Sequence, residues 1–378
     1  MTTRRRTLKI FSIFFMTLWV LSPSMWPSHA QAAQPSSPGK KPSAHENAIA
    51  PKPAAPTPAT EAFSAPFIGK MQLHKATEKD SLVYLARDFN LGFVELRAAN
   101  PDIDPWMPGA GTRVLLPTMH LLPRAPREGI VINLPEMRLY AWTKPGRPPL
   151  NFPIGIGREG LNTPTGTTEV RQKVDGPIWR PTKRMREEDP ELPEIVPQGP
   201  ENPLGTHALY LGWGEYRIHG TNKPFGIGRR SSSGCIRMYP EGIVDLYHAA
   251  SVGEKVTVIN QPVKAAWIGK EFFIEAHPTI EQADEMEQVG ALTSYRLSED
   301  DMRLILDVAG NQADGLDWDL IRQAVRDRRG YPVVVGWSDG AHPRTNGPTL
   351  PLLEAARPRE VTGQKSAWVP PEAAPRVE

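Results

Sequence analysis

The chain contains one cysteine, Cys235, in 378 residues, so no intramolecular disulfide can brace its fold. It also lacks a long uncharged apolar run. The stretch from Ile10 to Leu21, broken by Ser12 and Thr17, is shorter than the roughly 20 residues a spanning helix needs, and no later segment is a better candidate. An excess of either charge is missing too. The 44 basic and 42 acidic residues leave a net charge of +2, which argues against nucleic acid as a partner and against strong attraction to a membrane surface. The histidines are scattered and, with a single cysteine, show no metal-ligand spacing. Gly155-Ile156-Gly157-Arg158-Glu159-Gly160 mimics a dinucleotide fingerprint, but no helical pattern follows it. Neither a metal nor another cofactor is expected.

At the N-terminus, Arg4, Arg5, Arg6 and Lys9 precede the apolar run, and small residues between Pro23 and Ala33 follow it. These are the three parts of a secretory signal over residues 1–33, with processing expected between Ala30 and Ala33. An uncleaved anchor is the alternative. The mature protein is then expected outside the cytoplasm, with no integral membrane segment after signal cleavage. Residues 34–69 are rich in proline and alanine and too poor in large apolar side chains to bury a core, which reads as a disordered linker. Residues 338–378 read as a flexible tail, in which Trp368 and Leu350, Leu352 and Leu353 are candidates for docking.

Between these ends, composition shifts divide the chain into three units. In the first, 70–118, Leu82, Leu85, Ala86 and Phe89 follow helical spacing. A second helix is expected over Phe93–Ala99, stopped by Pro101. A strand near Leu73 and another over Arg113–Leu116 complete a βααβ order. The second unit, 128–260, carries seven strand candidates: Gly129–Asn133, Arg138–Trp142, Leu150–Ile156, Thr167–Lys173, Ala208–Leu211, Tyr216–His219 and Lys255–Ile259. Only Pro240–Ala250 looks helical, so a mainly β domain, a sandwich or barrel, is predicted. The third unit, 263–337, reads as a small α+β domain. It has a strand at Glu271–Ala276, a helix capped at Ser298 with Met302, Ile305, Leu306 and Ala309 as its apolar positions, a helix over Trp318–Arg328 and a closing strand over Tyr331–Val335. No chemical constellation is visible in it.

The chemistry points to the second unit. Cys235 lies in Ser231-Ser232-Ser233-Gly234-Cys235-Ile236-Arg237-Met238, downstream of His219-Gly220-Thr221. A lone cysteine is ordinarily a small buried hydrophobe. Here the serine- and glycine-rich surroundings make a poor core strand, and an exported thiol risks oxidation. A thiolate is the reactive form, and His219 is placed to deprotonate the sulfur or to hold it as an ion pair. His207 and His248 are the nearest rivals as base. No carboxylate adjoins His219, so the Gly220 carbonyl is the candidate for fixing its tautomer. Gly234 lets the turn tighten so that the N–H groups of Gly234 and Cys235 converge as an oxyanion hole. Arg237, two residues on, is a candidate carboxylate clamp. Arg229-Arg230 reads as a solvated loop.

His219-Gly220-Thr221, Phe225-Gly226-Ile227-Gly228 and Ser233-Gly234-Cys235-Ile236-Arg237-Met238 together resemble the active-site signature of the L,D-transpeptidases, whose catalytic domain is the YkuD β-sandwich. Thr163-Pro164-Thr165-Gly166 and Asn202-Pro203-Leu204-Gly205 match recurring turns of that family. The first unit, through Asp80-Ser81-Leu82, Ala99-Asn100-Pro101 and Gly111–Pro117, resembles a LysM module, which grips glycans. From about 72 to 337 the chain is similar to the periplasmic ErfK/YbiS/YcfS/YnhG group. The resemblance implies that Cys235 attacks the diaminopimelate–D-Ala bond of a peptidoglycan tetrapeptide stem and forms a thioester. An amine of another stem's diaminopimelate, or a lysine of an outer-membrane lipoprotein, then takes the acyl group. It implies His219 as base with Gly220 as its orienter, and Ser233, Gly234 and Arg237 around the substrate. The family commonly has histidine where this chain has Ser233, a position credited through its main chain. A hydrolase using water on the same site, an L,D-carboxypeptidase or amidase, and a non-catalytic peptidoglycan-binding protein are the alternatives.

Overall fold

The computed structural model describes residues 63–292, 296–338, 350–351 and 354–355. The signal expected over 1–33 and most of the linker expected over 34–69 lie outside the described residues. Among those described, no helix is long and apolar enough to cross a membrane.

The first unit comprises β1 (Phe67–Gly69), β2 (Gln72–Lys75), α1 (Leu82–Asp88), α2 (Phe93–Ala99), β3 (Arg113–Leu116) and β4 (Met119–Leu121). The Ser81 hydroxyl caps α1 by accepting from the Tyr84 N–H, and the stripe of Leu82, Leu85, Ala86 and Phe89 is buried as its spacing predicts. Asn100 ends α2 and joins it to β3. Its Nδ2 donates to the Leu96 and Leu115 carbonyls, and its Oδ1 accepts from the Leu115 N–H. Composition assigned residues up to 69 to the linker, yet Phe67–Gly69 pairs antiparallel with β4. Phe67 and Ile68 are the apolar side chains that draw this end of the segment onto the fold.

The second unit is built from β5 (Gly129–Asn133), β6 (Arg138–Trp142), β7 (Leu150–Gly157), β8 (Gly166–Asp175), β9 (His207–Leu211), β10 (Arg217–His219), β11 (Arg230–Ser232), β12 (Ile236–Met238) and β13 (Lys255–Ile259). Their order is β11-β7-β12-β10-β9-β8-β13-β5-β6, and β6 also pairs with β7, so the sheet closes into a sandwich with two shared strands. β8 pairs with β13 up to Glu169 and with β9 from Val170, across a register shift between Val170 and Gln172. β7 pairs with β6 through Pro153 and with β12 from Ile154. Proline has no N–H to give a ladder, and it stands where the strand changes sheets. Ile130, Leu139, Ile154, Leu209, Ile218, Ile236 and Val256 fill the space between the sheets, each worth about 1.5–3 kcal/mol when fully buried. Ile243 and Leu246 of α4 (Pro240–Ala249) join that core. A second, short helix, α3 (Lys183–Glu188), departs from expectation. Its sequence KRMREE has no apolar period to reveal it, and it starts at the Thr182 hydroxyl, which accepts from the Met185 N–H.

The third unit has β14 (Val263–Ile268), β15 (Glu271–Ala276), α5 (Ala283–Val289), α6 (Glu299–Ala309), α7 (Trp318–Asp327) and β16 (Pro332–Trp337). Ser298 caps α6 by accepting from the Asp301 N–H. Only Ile305 and Ala309 of its four apolar positions are buried, while Met302 and Leu306 are exposed. Of the segment read as a tail, Leu350 packs against this unit's core, and β17 (Glu354–Ala355) pairs parallel with β2 of the first unit.

The three units meet around charge that the sequence reading did not anticipate. Lys264 Nζ on β14 lies 2.7 Å from Glu136 Oε1 and 2.7 Å from Glu275 Oε1, and donates to the Leu121 carbonyl at 2.7 Å. Arg138 Nη2 on β6 reaches Glu95 Oε2 on α2 at 2.6 Å, and His277 Nε2 reaches Glu275 Oε1 at 2.7 Å. All of these side chains are buried. His120, Glu136 and Glu275 bring ligand atoms within 4.8 Å of one another. The Lys264 ammonium already stands between the two carboxylates as their counter-charge.

Candidate active site

β10 and β12 lie side by side and parallel, with Ile218 opposite Ile236 and His219 opposite Arg237. Side chains alternate across a strand, and both isoleucines point into the core. Arg217, His219 and Arg237 therefore stand on the other face. One residue back along the same register, Cys235 lies beside Arg217. Strand spacing and rise set His219 and Cys235 on a diagonal across adjacent backbone segments, on one face of the sheet.

Cys235 ends a turn that holds it against β10. The Ser232 hydroxyl donates to the Cys235 carbonyl at 2.5 Å and accepts from the Gly234 N–H at 3.1 Å. The buried Thr163 hydroxyl donates to the Gly234 carbonyl at 2.8 Å and accepts from the Gly157 N–H at 3.1 Å. Gly234 has φ +104°, and a Cβ there would meet the Tyr216 ring at 3.0 Å, so glycine is required. The Cys235 Sγ donates to the Glu215 carbonyl at 3.6 Å. Ser233 is half-buried.

His219 Nδ1 faces the Gly220 carbonyl at 2.6 Å. With the proton on Nδ1, Nε2 is left as the acceptor. Burial is the main reason that the ring's pKa is pulled down to about 3; the Arg237 and Arg217 cations add to it, while the carbonyls of Gly220 and Leu204 oppose it. Burial likewise pushes the Cys235 thiol up, against the opposing pull of Arg217 and Arg237. Both shifts disfavour the charged forms of the thiol and the imidazole. Of the two arrangements the sequence left open, base and ion pair, these shifts run against a resting ion pair. His207 and His248 lie elsewhere, both packed on the Tyr247 ring, and His207 Nε2 is 3.4 Å from Asp175.

The family model for the YkuD L,D-transpeptidase catalytic domain matches residues 127–258. The chain is 40% identical over 282 residues to the probable L,D-transpeptidase YcfS of Escherichia coli K12, covering 71% of this chain and 84% of that one. The chain belongs to the L,D-transpeptidase family. It is also 38% identical over 258 residues to the probable L,D-transpeptidase YbiS of the same strain, covering 67% and 82% of the two chains. Among solved structures, the NMR structure of the catalytic domain from the E. faecium L,D-transpeptidase matches at 22% identity with a TM-score of 0.29, over 36% of this chain and all of that one.

In this L,D-transpeptidase, both flanking units grip the segment between His219 and Cys235. The N–H groups of Phe93 and Val94, at the start of α2, donate to the carbonyls of Ile227 and Gly228 at 3.4 and 3.1 Å. Arg229 lies over the Phe93 ring at 3.8 Å and pairs with Glu287 of α5, while Arg230 Nη1 donates to Asp284 Oδ2 at 2.9 Å. These arginines are therefore braces and not a solvated loop, since their carboxylate partners come from a helix more than fifty residues away in sequence. Two expected substrate contacts are already engaged. The Gly234 N–H is taken by Ser232, and Arg237 Nη1 donates to the Ser231 carbonyl at 3.1 Å. The sequence reading gave no role to Ser232 or Arg217. The Thr163 and Asn202 turns had been picked out only by resemblance, and the structure supplies their physical reason. Asn202 Nδ2 donates to the carbonyls of Pro177 and Pro197 at 2.7 and 2.9 Å, closing the loop that carries Leu204 to the imidazole.

Proposed function

We propose that this enzyme works through Cys235, with His219 as general base, on the bond between diaminopimelate and the terminal D-Ala of a peptidoglycan tetrapeptide stem. The thiol proton passes to His219 Nε2 as sulfur attacks the carbonyl. The S–C bond forms, the C–N bond breaks, and the proton leaves on the D-Ala amine. The Gly220 carbonyl holds the ring in the required tautomer, and the Cys235 N–H stabilises the oxyanion. An amine from a second stem or from an outer-membrane lipoprotein lysine then attacks the thioester and restores the thiol. The broken amide supplies the energy, so the reaction suits the periplasm, where the signal would deliver the enzyme. The carrying observation is His219 at the end of β10 and Cys235 at the entry to the parallel strand β12, with Nδ1 tied to Gly220 at 2.6 Å.

The first unit, in this reading, holds glycan. Support comes from Trp106, whose largely exposed ring stacks against Phe93 at 6.1 Å, next to the exposed Met107. Muropeptide analysis of a strain expressing the protein tests the reaction. New cross-links between diaminopimelates, or stems carrying lipoprotein, support acyl transfer to an amine. Tripeptide stems alone would replace it with hydrolysis. An unchanged wall would leave only a binding role.

A further inference from the structure

Of the four arginines around this turn, Arg229 is paired with Glu287 and Arg230 with Asp284, while Arg237 gives Nη1 to the Ser231 carbonyl. Arg217 stands beside the sulfur. Its Nε and Nη2 donate to the Glu215 carbonyl at 3.2 and 2.9 Å, and among the described residues no carboxylate pairs with it. The same Glu215 oxygen accepts from the Cys235 thiol at 3.6 Å. Guanidinium and sulfur are therefore within two hydrogen-bond lengths of each other around one atom. The Tyr210 ring lies 5.0 Å from the guanidinium carbon and gives the side chain a platform. The Glu215 contacts use one edge of the fork, and Nη1 remains to meet a ligand. Continued one residue beyond the paired Ile218 and Ile236, the register sets Arg217 alongside Cys235.

We infer that Arg217 binds the terminal carboxylate of the donor peptide's leaving D-Ala. The inference rests on the reaction proposed above. In that substrate the carboxylate lies one residue beyond the scissile carbonyl, at a span of about 3.8 Å. A peptide whose carbonyl faces Sγ thus brings its C-terminal charge toward the guanidinium that shares the Glu215 oxygen with the sulfur. The contact selects stems that end at the residue to be expelled, and it orients the leaving amine toward the imidazole that must protonate it. Arg237, the clamp expected from sequence, gives Nη1 to the Ser231 carbonyl.

The experiment compares a synthetic stem tetrapeptide ending in D-alanine with the same peptide ending in D-alaninamide. Acyl-enzyme formation is followed by intact mass, and kcat/KM is obtained for each. Removing a cation beside the thiol slows attack on both peptides, so the informative quantity is the ratio between them. The wild-type enzyme is expected to favour the acid by about tenfold or more, the scale of a charge-assisted contact. Arg217→Ala brings the ratio close to one, and Arg217→Lys keeps part of it. A ratio preserved in Arg217→Ala overturns the assignment and leaves the thioester chemistry standing. A wild-type enzyme acylated by neither peptide overturns the donor reading and this inference with it.

Discussion

The imidazole of His219 is tied through Nδ1 to the carbonyl of its own neighbour, Gly220, at 2.6 Å. Where many sites place a carboxylate, this one places a main-chain dipole, which fixes the tautomer without stabilising an imidazolium strongly enough to offset burial. Burial, which that dipole opposes only in part, takes the ring's pKa to about 3, and burial raises the thiol as well. Iodoacetamide alkylation of Cys235 is therefore expected to accelerate through pH 8 to 9 and above. A plateau beginning below pH 6 would show a resting ion pair. His219→Ala should lower acylation about 10²- to 10⁴-fold, the usual contribution of a positioned base.

The same burial couples His219 to stability. Above about pH 6.5 the ring is neutral in the folded and unfolded states and contributes nothing. Below that value the unfolded chain takes up a proton that the folded ring refuses, so stability falls as pH drops from about 6.5 toward 3. The slope is about 1.4 kcal/mol per pH unit for each such proton. His120, also held low mainly by burial, acts in the same direction. Urea unfolding at several pH values should show a shallower acid decline for His219→Asn than for the wild type.

Gly228 has φ +73°, and a Cβ there would lie 2.2 Å from the Gly92 Cα, where the first unit meets the catalytic segment. Gly228→Ala must either strain the backbone by about 1–2 kcal/mol or push α2 away. Thermal unfolding should register the loss, and carbapenem acylation should slow with it. Acylation at the wild-type rate would show that the α2 contact does not shape the catalytic turn.

Lys264→Met leaves Glu136 and Glu275 buried around an uncharged chain. Removing one partner of a buried ionic group costs about 3–5 kcal/mol, and denaturant unfolding should find a loss on that scale. A change below about 1 kcal/mol would mean that the network protonates or hydrates at little cost.

Much of this was visible in the chain and some was not, for physical reasons. β5, β6, β13 and β15 announce themselves through branched and aromatic residues between turns, and α1 through its apolar spacing. The Cys235 and His219 pair stands out because a lone thiol among serines and glycines has no packing reason to be there. β11 and β12 are three residues each, and β11, Arg-Ser-Ser, is paired by its backbone along β7 and carries no strand-forming side chains. Lys264, Glu275 and Glu136 look like surface residues until three units close over them. Arg217 reads as an ordinary strand residue, and only the register of β10 against β12 sets it beside sulfur.

Intact-protein mass after incubation with a carbapenem tests the central claim most directly. A single covalent adduct is expected on the wild-type protein, mapping by peptide fragmentation to Cys235 and missing from Cys235→Ala. An adduct that persists in Cys235→Ala, or that maps to another residue, would contradict the account.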